Sequence, residues 1–466
     1  MNLQDYLHSI QGKSVAVIGI GVSNTPLIEL LLSAGIAVTA CDKKERGEFD
    51  GLAEALEAKG AKLKLGENYL KDLTEDIIFR TPGMRPDVPE FLTAKERGSE
   101  ITSEMEVFFK VCPCPILAVT GSDGKTTTTS IIAGLMKKAG YTVHVGGNIG
   151  NPLLAEAGSM KESDFAVLEL SSFQLLTMDD ISPMRAVLTN LAPNHLNVHK
   201  GMEEYVEAKA NIFLHQGENC RVTLNYDNDI TRSFAERAGG REVFFSRVKP
   251  IEEGITFEDG CIVRKHSGKT EKVLEAGNIK IPGIHNVENY MAAISAVEGL
   301  VSDDVIREFA AEFGGVEHRI ELVRELHGVR YYNDSIASSP SRTIAGLRSF
   351  PEKVIMLAGG KDKDIPYDEL GPDMVEHVKL LILTGGDAPG SSVFKIRDAA
   401  VNAPGYEEGK PEILFVDDFA ESIRVAQSRA KEGDVVLMSP ASTSFDKFKN
   451  FMERGKLFKK VVNELK

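Results

Sequence analysis

The sequence has no tryptophan, and aromatic residues are only 7% of it. Cysteine is scarce: Cys41, Cys112, Cys114, Cys220 and Cys261 are all there is in 466 residues. An odd, scattered set excludes a disulfide framework and points to a reducing compartment. Cys112 and Cys114 flank Pro113, but CPCP has no zinc-site spacing, so it reads as a linker with two small apolar residues. No apolar run approaches the roughly 20 residues of a membrane span. The start, MNLQDYLHSIQGK, lacks the apolar core of a signal peptide. A soluble, cytoplasmic protein is expected. Positive charge is also in deficit, with 54 Lys and Arg against 69 Asp and Glu and a formal charge of −15. That balance excludes general binding to nucleic acid or anionic membrane. It still allows a small anion to be held by a helix N-terminus and a few placed lysines. There is no solenoid repeat and no low-complexity tract.

What is present is ordinary globular composition, 42% hydrophobic and 26% charged. The length suits about three domains. SVAVIGI (14–20) is a short apolar run bounded by glycine, which reads as a buried strand. GVSNTPLIELLLSAG follows with helical spacing, and AVTACD (37–42) is a second strand ending in an acid. That is a βαβ unit. DIIFRTPG (76–83) adds a strand with a Pro-Gly turn. The prolines of CPCP mark a linker, after which ILAVT restarts the pattern. YTVHVGG, DFAVLELSS and RAVLTNL are further strands, residues 220–282 suggest a β-rich insert, and 285–300 has the spacing of an amphipathic helix. Past GGVEHRIE, five strands (GVRYYND, KVIMLAGG, VKLLILTGG, EILFV, DVVLMSP) make a third α/β unit. Clefts at the carboxyl ends of such strands are where chemistry is expected.

TGSDGKTTTT (120–129) lies between a strand and a helix whose opening is assigned to the threonines. It departs from the strict phosphate-loop pattern, which wants Gly where Val119 stands. The context still points to phosphate. Gly121 and Gly124 allow backbone N–H groups to approach it, and the helix N-terminus adds its dipole. Lys125 would reach the β- and γ-phosphates, and Thr126 would hold magnesium. GIGVSN (19–24) is a rival signal. A G-x-G-x-x-G turn with an acid about 20 residues on suggests NAD, but here the third glycine is Asn24, and Asp42 is the acid. An NAD-dependent oxidoreductase therefore stays open on this turn alone.

The TG-x-x-GKT loop resembles that of the Mur ligases and folylpolyglutamate synthases, ATP-dependent amide ligases of three domains. The resemblance covers nearly the whole chain. LELSSFQL (168–175), NLAPNHLNVH (190–199), EEYVEAKANIF (203–213), GIHNVENYMAA (283–293), EHRIE (317–321), YNDSIASSP (332–340) and LMSPASTSFDKFKNFMERG (437–455) are similar to blocks of that family. It implies an α/β fold in three domains: an N-terminal Rossmann-like UDP-substrate domain (1–112), a central P-loop-type ATPase with a mixed sheet (113–314) and a C-terminal Rossmann-like amino-acid domain (315–466). The last block, GIGVSN and the TPG turn look most like the branch that joins D-glutamate to UDP-N-acetylmuramoyl-L-alanine, with ATP and Mg2+, in peptidoglycan precursor synthesis. A ligase of the same superfamily with another acceptor is the nearer alternative. A monomer is expected.

The resemblance also implies a site. ATP would meet Gly121, Ser122, Asp123, Gly124, Lys125, Thr126, Thr127, Asn289, Arg319 and Asp334. The catalytic set would be Lys125, Glu169, His195 and Lys209, with Thr126, Glu169, His195 and a carbamylated Lys209 around the metal. The UDP substrate would meet Val22, Ser23, Asn24, Asp42, Lys43, Thr81, Gly83 and Asn148. D-glutamate would meet Ser338, Lys363, Ser444, Phe445 and Phe451. One departure stands out: relatives often have NDSK where this chain has Ile336, so either Lys361 or Lys363 supplies the missing cation or the pocket differs.

Overall fold

The computed structural model describes residues 1–22, 24–193, 198–362, 365–386, 390–444 and 447–466. Two compact units result. The first is Met1–Ala276 with Glu288–Phe309, the second Gly277–Val287 with Ala310–Lys466.

The first unit begins with a parallel sheet of β1 (Ser14–Ile18), β2 (Ala37–Asp42), β3 (Lys62–Leu65), β4 (Ile77–Phe79) and β5 (Glu100–Thr102). Its order, β3-β2-β1-β4-β5, is that of a doubly wound sheet. β1 is apolar throughout because both of its faces are covered. Val15 and Val17 enter one core, and Ala16 and Ile18 enter another. Burying each such Val or Ile contributes about 1.5–3 kcal/mol relative to exposure. Helix Thr25–Ser33 packs Leu27, Ile28 and Leu31 into the same core as Val15 and Val17. The sequence reading misses β3 and β5. Both are edge strands, and KLKL and EIT need no continuous apolar run to sit there.

The second sheet of this unit has nine strands: β6 (Ile116–Thr120), β7 (Val143–Gly147), β8 (Phe165–Glu169), β9 (Arg185–Leu188), β10 (Arg221–Asn225), β11 (Arg241–Ser246), β12 (Gly254–Glu258), β13 (Cys261–His266) and β14 (Lys269–Glu275). The order is β14-β13-β12-β11-β10-β9-β6-β8-β7. Pairing is parallel from β7 across to β12, then antiparallel through β13 and β14. The sheet is therefore mixed, and the β-rich insert is its antiparallel edge. β6 sits between β9 and β8, where the strand order switches direction, and that is where such sheets bind ligands. The first two sheets share one core, which runs from Leu3 and Tyr6 to Phe213 and Phe234.

The second unit holds β15 (Glu321–Leu326), β16 (Val329–Asn333), β17 (Val354–Ala358), β18 (Val378–Leu383), β19 (Glu412–Phe415) and β20 (Val435–Met438), in the order β15-β16-β20-β17-β18-β19. All pairs are parallel except β15 with β16. The five strands expected from sequence are present. β15 is the addition, and its charged ELVREL hides it. It is held as a hairpin by His327 and Gly328, both at positive φ (51° and 74°), as a tight two-residue turn requires.

Candidate active site

β6 is buried along its whole length and leads into the glycine-rich loop. The chain passes Gly121 (φ 150°) and Gly124 (φ 80°) and enters helix Lys125–Lys138. A Cβ on Gly121 would lie 2.0 Å from Thr189 Oγ1, and one on Gly124 2.3 Å from Asn289 Oδ1. Neither position tolerates a side chain. Gly124, not a threonine, caps the helix, and no side chain occupies the cap. The first turn carries no acid, so the positive end of the helix is unopposed. Lys125 Nζ donates to the carbonyls of Gly121 (3.0 Å) and Ser122 (2.9 Å).

The loop is stitched to the segment after β9. Asp123 O accepts from Thr189 Oγ1 (2.5 Å) and Asn190 Nδ2 (3.1 Å), while Asp123 N donates to Asn190 Oδ1 (3.0 Å). Ser122 Oγ meets Ala192 O at 2.9 Å and Tyr205 OH at 2.8 Å. Thr127 and Thr128 are buried, and Thr128 donates to Asn289 Oδ1 at 3.2 Å. Thr189, Asn190 and Tyr205 hold the loop yet carry no role in the sequence reading. Asn190 and Tyr205 lie inside the NLAPNH and EEYVEAK blocks, and Thr189 in the RAVLTNL strand segment.

Glu169 ends β8 and is 1% exposed. Its Oε1 accepts from Asn148 Nδ2 at 2.7 Å, and its Oε2 is buried with no hydrogen-bond partner among the described residues. Gly147 makes this approach possible, since a Cβ there would lie 2.2 Å from Glu169 O. Lys209, on helix Met202–Leu214, is not the solvated lysine its helix position suggests. It is 1% exposed, donates to Thr120 Oγ1 at 3.0 Å and lies over the Tyr205 ring at 5.1 Å. Burial first, and the Lys125 cation second, hold its pKa well below the ordinary lysine value, against the pull of Glu169 and Asp123. That helix is anchored by Arg85, which forms bidentate pairs with Asp87 (2.7 and 2.9 Å) and Glu204 (2.8 and 2.9 Å).

An unsatisfied buried carboxylate oxygen fits a hard cation such as magnesium, which prefers oxygen ligands. Among the described residues no three His, Cys, Asp or Glu side chains form a metal-ligand cluster. His195 lies outside the described residues, as do Ser23, Lys363 and Phe445.

At the first sheet, Gly19 (φ 93°) packs against Thr81, whose Cβ would be 3.3 Å from a Cβ on that glycine. Asp42 organises the turn by accepting from Ile20 N (2.6 Å) and Lys44 N (2.9 Å). Asn24 is buried and donates to Ile18 O at 2.9 Å. Val22, Lys43 and Gly83 are exposed around this turn.

In the second unit, Arg319 sits between His318 (φ 66°) and Ile320 (φ 43°). A β-branched residue at positive φ is a strained conformation, of a kind that clusters at functional sites. Asp334, just past β16, accepts from Ser439 Oγ (2.9 Å) and Ile320 N (3.3 Å). Its burial pushes the carboxyl up to about 7, with Arg319 and Arg342 opposing. Arg342 Nη1 donates to Ile336 O at 3.2 Å. Arg454 is buried and joins three blocks, donating to Ser335 Oγ (3.1 Å), Ser335 O (2.9 Å) and Ser442 O (3.2 and 3.3 Å). Nearby Ser444 is buried, Phe451 packs edge-on to His318 at 6.0 Å, and Ser338 is half-buried. Lys361 is exposed, and its backbone is tied to Thr443 (N to O, 3.0 Å). In this unit Arg342 and Arg454, which tie these blocks together, carry no role in the sequence reading.

Asp334 yields a pH prediction. A carboxyl whose folded pKa is raised adds stability below its unfolded value near 4 and loses it as pH rises through the folded value. The Asp334→Asn variant is therefore expected to gain stability over the parent between about pH 4 and pH 8, on the order of 3–4 kcal/mol from a shift of about three units. Urea unfolding at the two ends of that range measures it. A difference that does not change with pH would mean that Asp334 is ionised throughout.

The fold and this loop define a nucleotide-binding α/β protein of the phosphate-loop class. The Mur ligase middle domain matches residues 119–297, and the Mur ligase glutamate ligase domain matches residues 318–442. A UDP-N-acetylmuramoylalanine–D-glutamate ligase of Acetivibrio thermocellus is 53% identical over 99% of both chains. One of Ruminiclostridium cellulolyticum is 49% identical over 100% of this chain and 99% of its own. Among solved structures, the UDP-N-acetylmuramate-alanine ligase MurC of Thermotoga maritima aligns over 97% of this chain and 100% of its own, with a TM-score of 0.59 at 19% identity. The MurF ligase of the same organism, solved in complex with ADP, aligns over 98% of this chain and 97% of its own, with a TM-score of 0.55 at 20% identity. The chain belongs to the Mur ligase family, among the UDP-N-acetylmuramoylalanine–D-glutamate ligases.

Proposed function

We propose that the chain is an ATP-dependent ligase joining D-glutamate to UDP-N-acetylmuramoyl-L-alanine, a step of peptidoglycan precursor synthesis. What supports the reading most is identity of about half the residues, end to end, with ligases named for that reaction. The phosphate loop agrees with it. In this scheme an oxygen of the L-alanine carboxylate attacks the γ-phosphorus of ATP and ADP leaves. The amine of D-glutamate then attacks the acyl carbon, the C–O bond to phosphate breaks, and the nitrogen loses a proton. Lys125 offsets the charge of the transferring phosphoryl group. Magnesium, when bound, neutralises phosphate charge, and Thr126, Glu169 and His195 would hold it.

Lys209 is assigned a carbamate. Its buried amine, biased toward the neutral form, is the nucleophile that carbon dioxide needs. The product turns a cation into an oxygen-rich anion beside Thr120. Val22, Ser23, Asn24, Asp42, Lys43, Thr81 and Gly83 take the UDP group, and Asn148 the reacting end. Asn289 faces adenine, Arg319 the phosphates and Asp334 the ribose. The three-domain division at 112 and 314 is part of this proposal and rests on the resemblance; by compactness the chain divides instead into Met1–Ala276 with Glu288–Phe309, and Gly277–Val287 with Ala310–Lys466. The proposal keeps the enzyme in the cytoplasm, where ATP and UDP-sugars are found, and acting as a monomer.

Ser338, Lys363, Ser444, Phe445 and Phe451 take D-glutamate. The cation absent at Ile336, expected from Lys361 or Lys363, is assigned here instead to Arg342, whose guanidinium reaches the Ile336 carbonyl. The test is phosphate release from ATP with UDP-N-acetylmuramoyl-L-alanine, scanning single amino acids. Release with D-glutamate alone is expected, and release with a different acceptor overturns the acceptor assignment. In the same assay Arg342→Ala is expected to raise KM for D-glutamate about 10–100-fold, the worth of a charge-assisted hydrogen bond. An unchanged KM would remove Arg342 from the pocket. The NAD-dependent oxidoreductase left open by GIGVSN is not favoured, because the relatives are ligases.

A further inference from the structure

Outside this site, Cys112 and Cys114 stand in sulfur-to-sulfur contact, with Sγ atoms 3.5 Å apart. They occupy the linker between helix Glu104–Val111 and β6, the strand that ends in the phosphate loop. Cys112 caps that helix, its N–H donating to Phe108 O at 2.8 Å. Its Sγ also lies 3.5 Å from Cys114 O. The two thiols differ in access. Cys112 is half-buried, whereas Cys114 is 6% exposed. Both line a cavity of about 540 Å³, together with Phe109, Pro115, Met184 and Cys220. A small reagent therefore has a route to Cys112 and then finds a second sulfur already in contact.

We propose that Cys112 and Cys114 form a reversible dithiol–disulfide site that exchanges with small organic disulfides of the glutathione class. The Cys112 thiolate attacks one sulfur of the reagent, and the other half leaves as a thiolate. Cys114, as thiolate, then attacks Cys112 Sγ, releasing the second half. The reagent's sulfur–sulfur bond is reduced to two thiols, and the protein's two thiols become one disulfide. The side-chain contact with Cys114 lowers the Cys112 pKa, which favours Cys112 as the attacking thiolate. The sequence spacing, two cysteines about a proline, reads as a linker. Only the fold shows that their sulfurs turn toward each other.

The experiment incubates the full chain with oxidised glutathione, quenches with acid and maps thiols by mass spectrometry. The expected result is a fall from five free thiols to three, loss of two hydrogens, and one peptide linking Cys112 to Cys114. Cys114→Ser should stop at a mixed disulfide on Cys112, and Cys112→Ser should leave Cys114 unmodified. Cys220→Ser should still close the bridge. Overturning results are no oxidation, a stable mixed disulfide in the parent chain, or a bridge from Cys112 to Cys220. Circular dichroism of each variant separates lost chemistry from lost fold.

Discussion

Replacing Lys125 by alanine is expected to lower ATP-driven turnover by at least about 10³-fold, the scale on which removing a preorganised charge stabiliser acts. The lysine opens helix Lys125–Lys138, and its amine lies against the carbonyls of Gly121 and Ser122, inside the loop that two obligatory glycines shape. Nothing else in the first turn of that helix carries charge of either sign. The fold is expected to survive, because the loop is held by Asp123, Thr189 and Asn190 rather than by the lysine alone. Binding of the UDP substrate to the turn after β1 should persist. Phosphate release, with a parallel UDP-substrate titration, checks both parts. Normal turnover by Lys125→Ala would sink the ATP assignment of the loop.

Lys209→Met separates catalysis from stability. Methionine keeps most of the length and volume of the stem, so little cavity is left. A lysine whose folded pKa is depressed loses stability as pH falls from its unfolded value toward its folded one, since protonation then favours the unfolded chain. At neutral pH that loss is already in force, and methionine removes it. Thermal unfolding should show the variant at least as stable as the parent. Turnover should fall by about 10²-fold or more, as for loss of a group that organises charge at the transition state. If Lys209 works as a carbamate, depleting carbon dioxide should lower parent turnover, bicarbonate should restore it, and Lys209→Met should ignore both. A parent enzyme indifferent to carbon dioxide would refute the carbamate and leave Lys209 as a neutral hydrogen-bonding amine.

Much of the site is legible in the chain because it is local. A phosphate loop needs glycines, a lysine and a threonine within a few residues of a strand–helix junction, and TGSDGKT supplies them in order. β1, β2 and β6 show themselves as apolar runs because parallel strands covered on both faces can hold little else. The edge strands β3, β5 and β15 do not, since an edge tolerates charge.

Other features belong to the tertiary structure. Lys209 looks like a surface residue until Tyr205 and Thr120 enclose it, and that enclosure shifts its protonation. Arg454 looks like one arginine among several until the fold places it between Ser335 and Ser442. By itself the sequence determined the strand–loop–helix units and the chemistry of the phosphate loop, because those depend on residues a few positions apart. Only the tertiary structure decided which side chains are desolvated and which charges pair, because burial and pairing depend on residues that the chain brings together from far away.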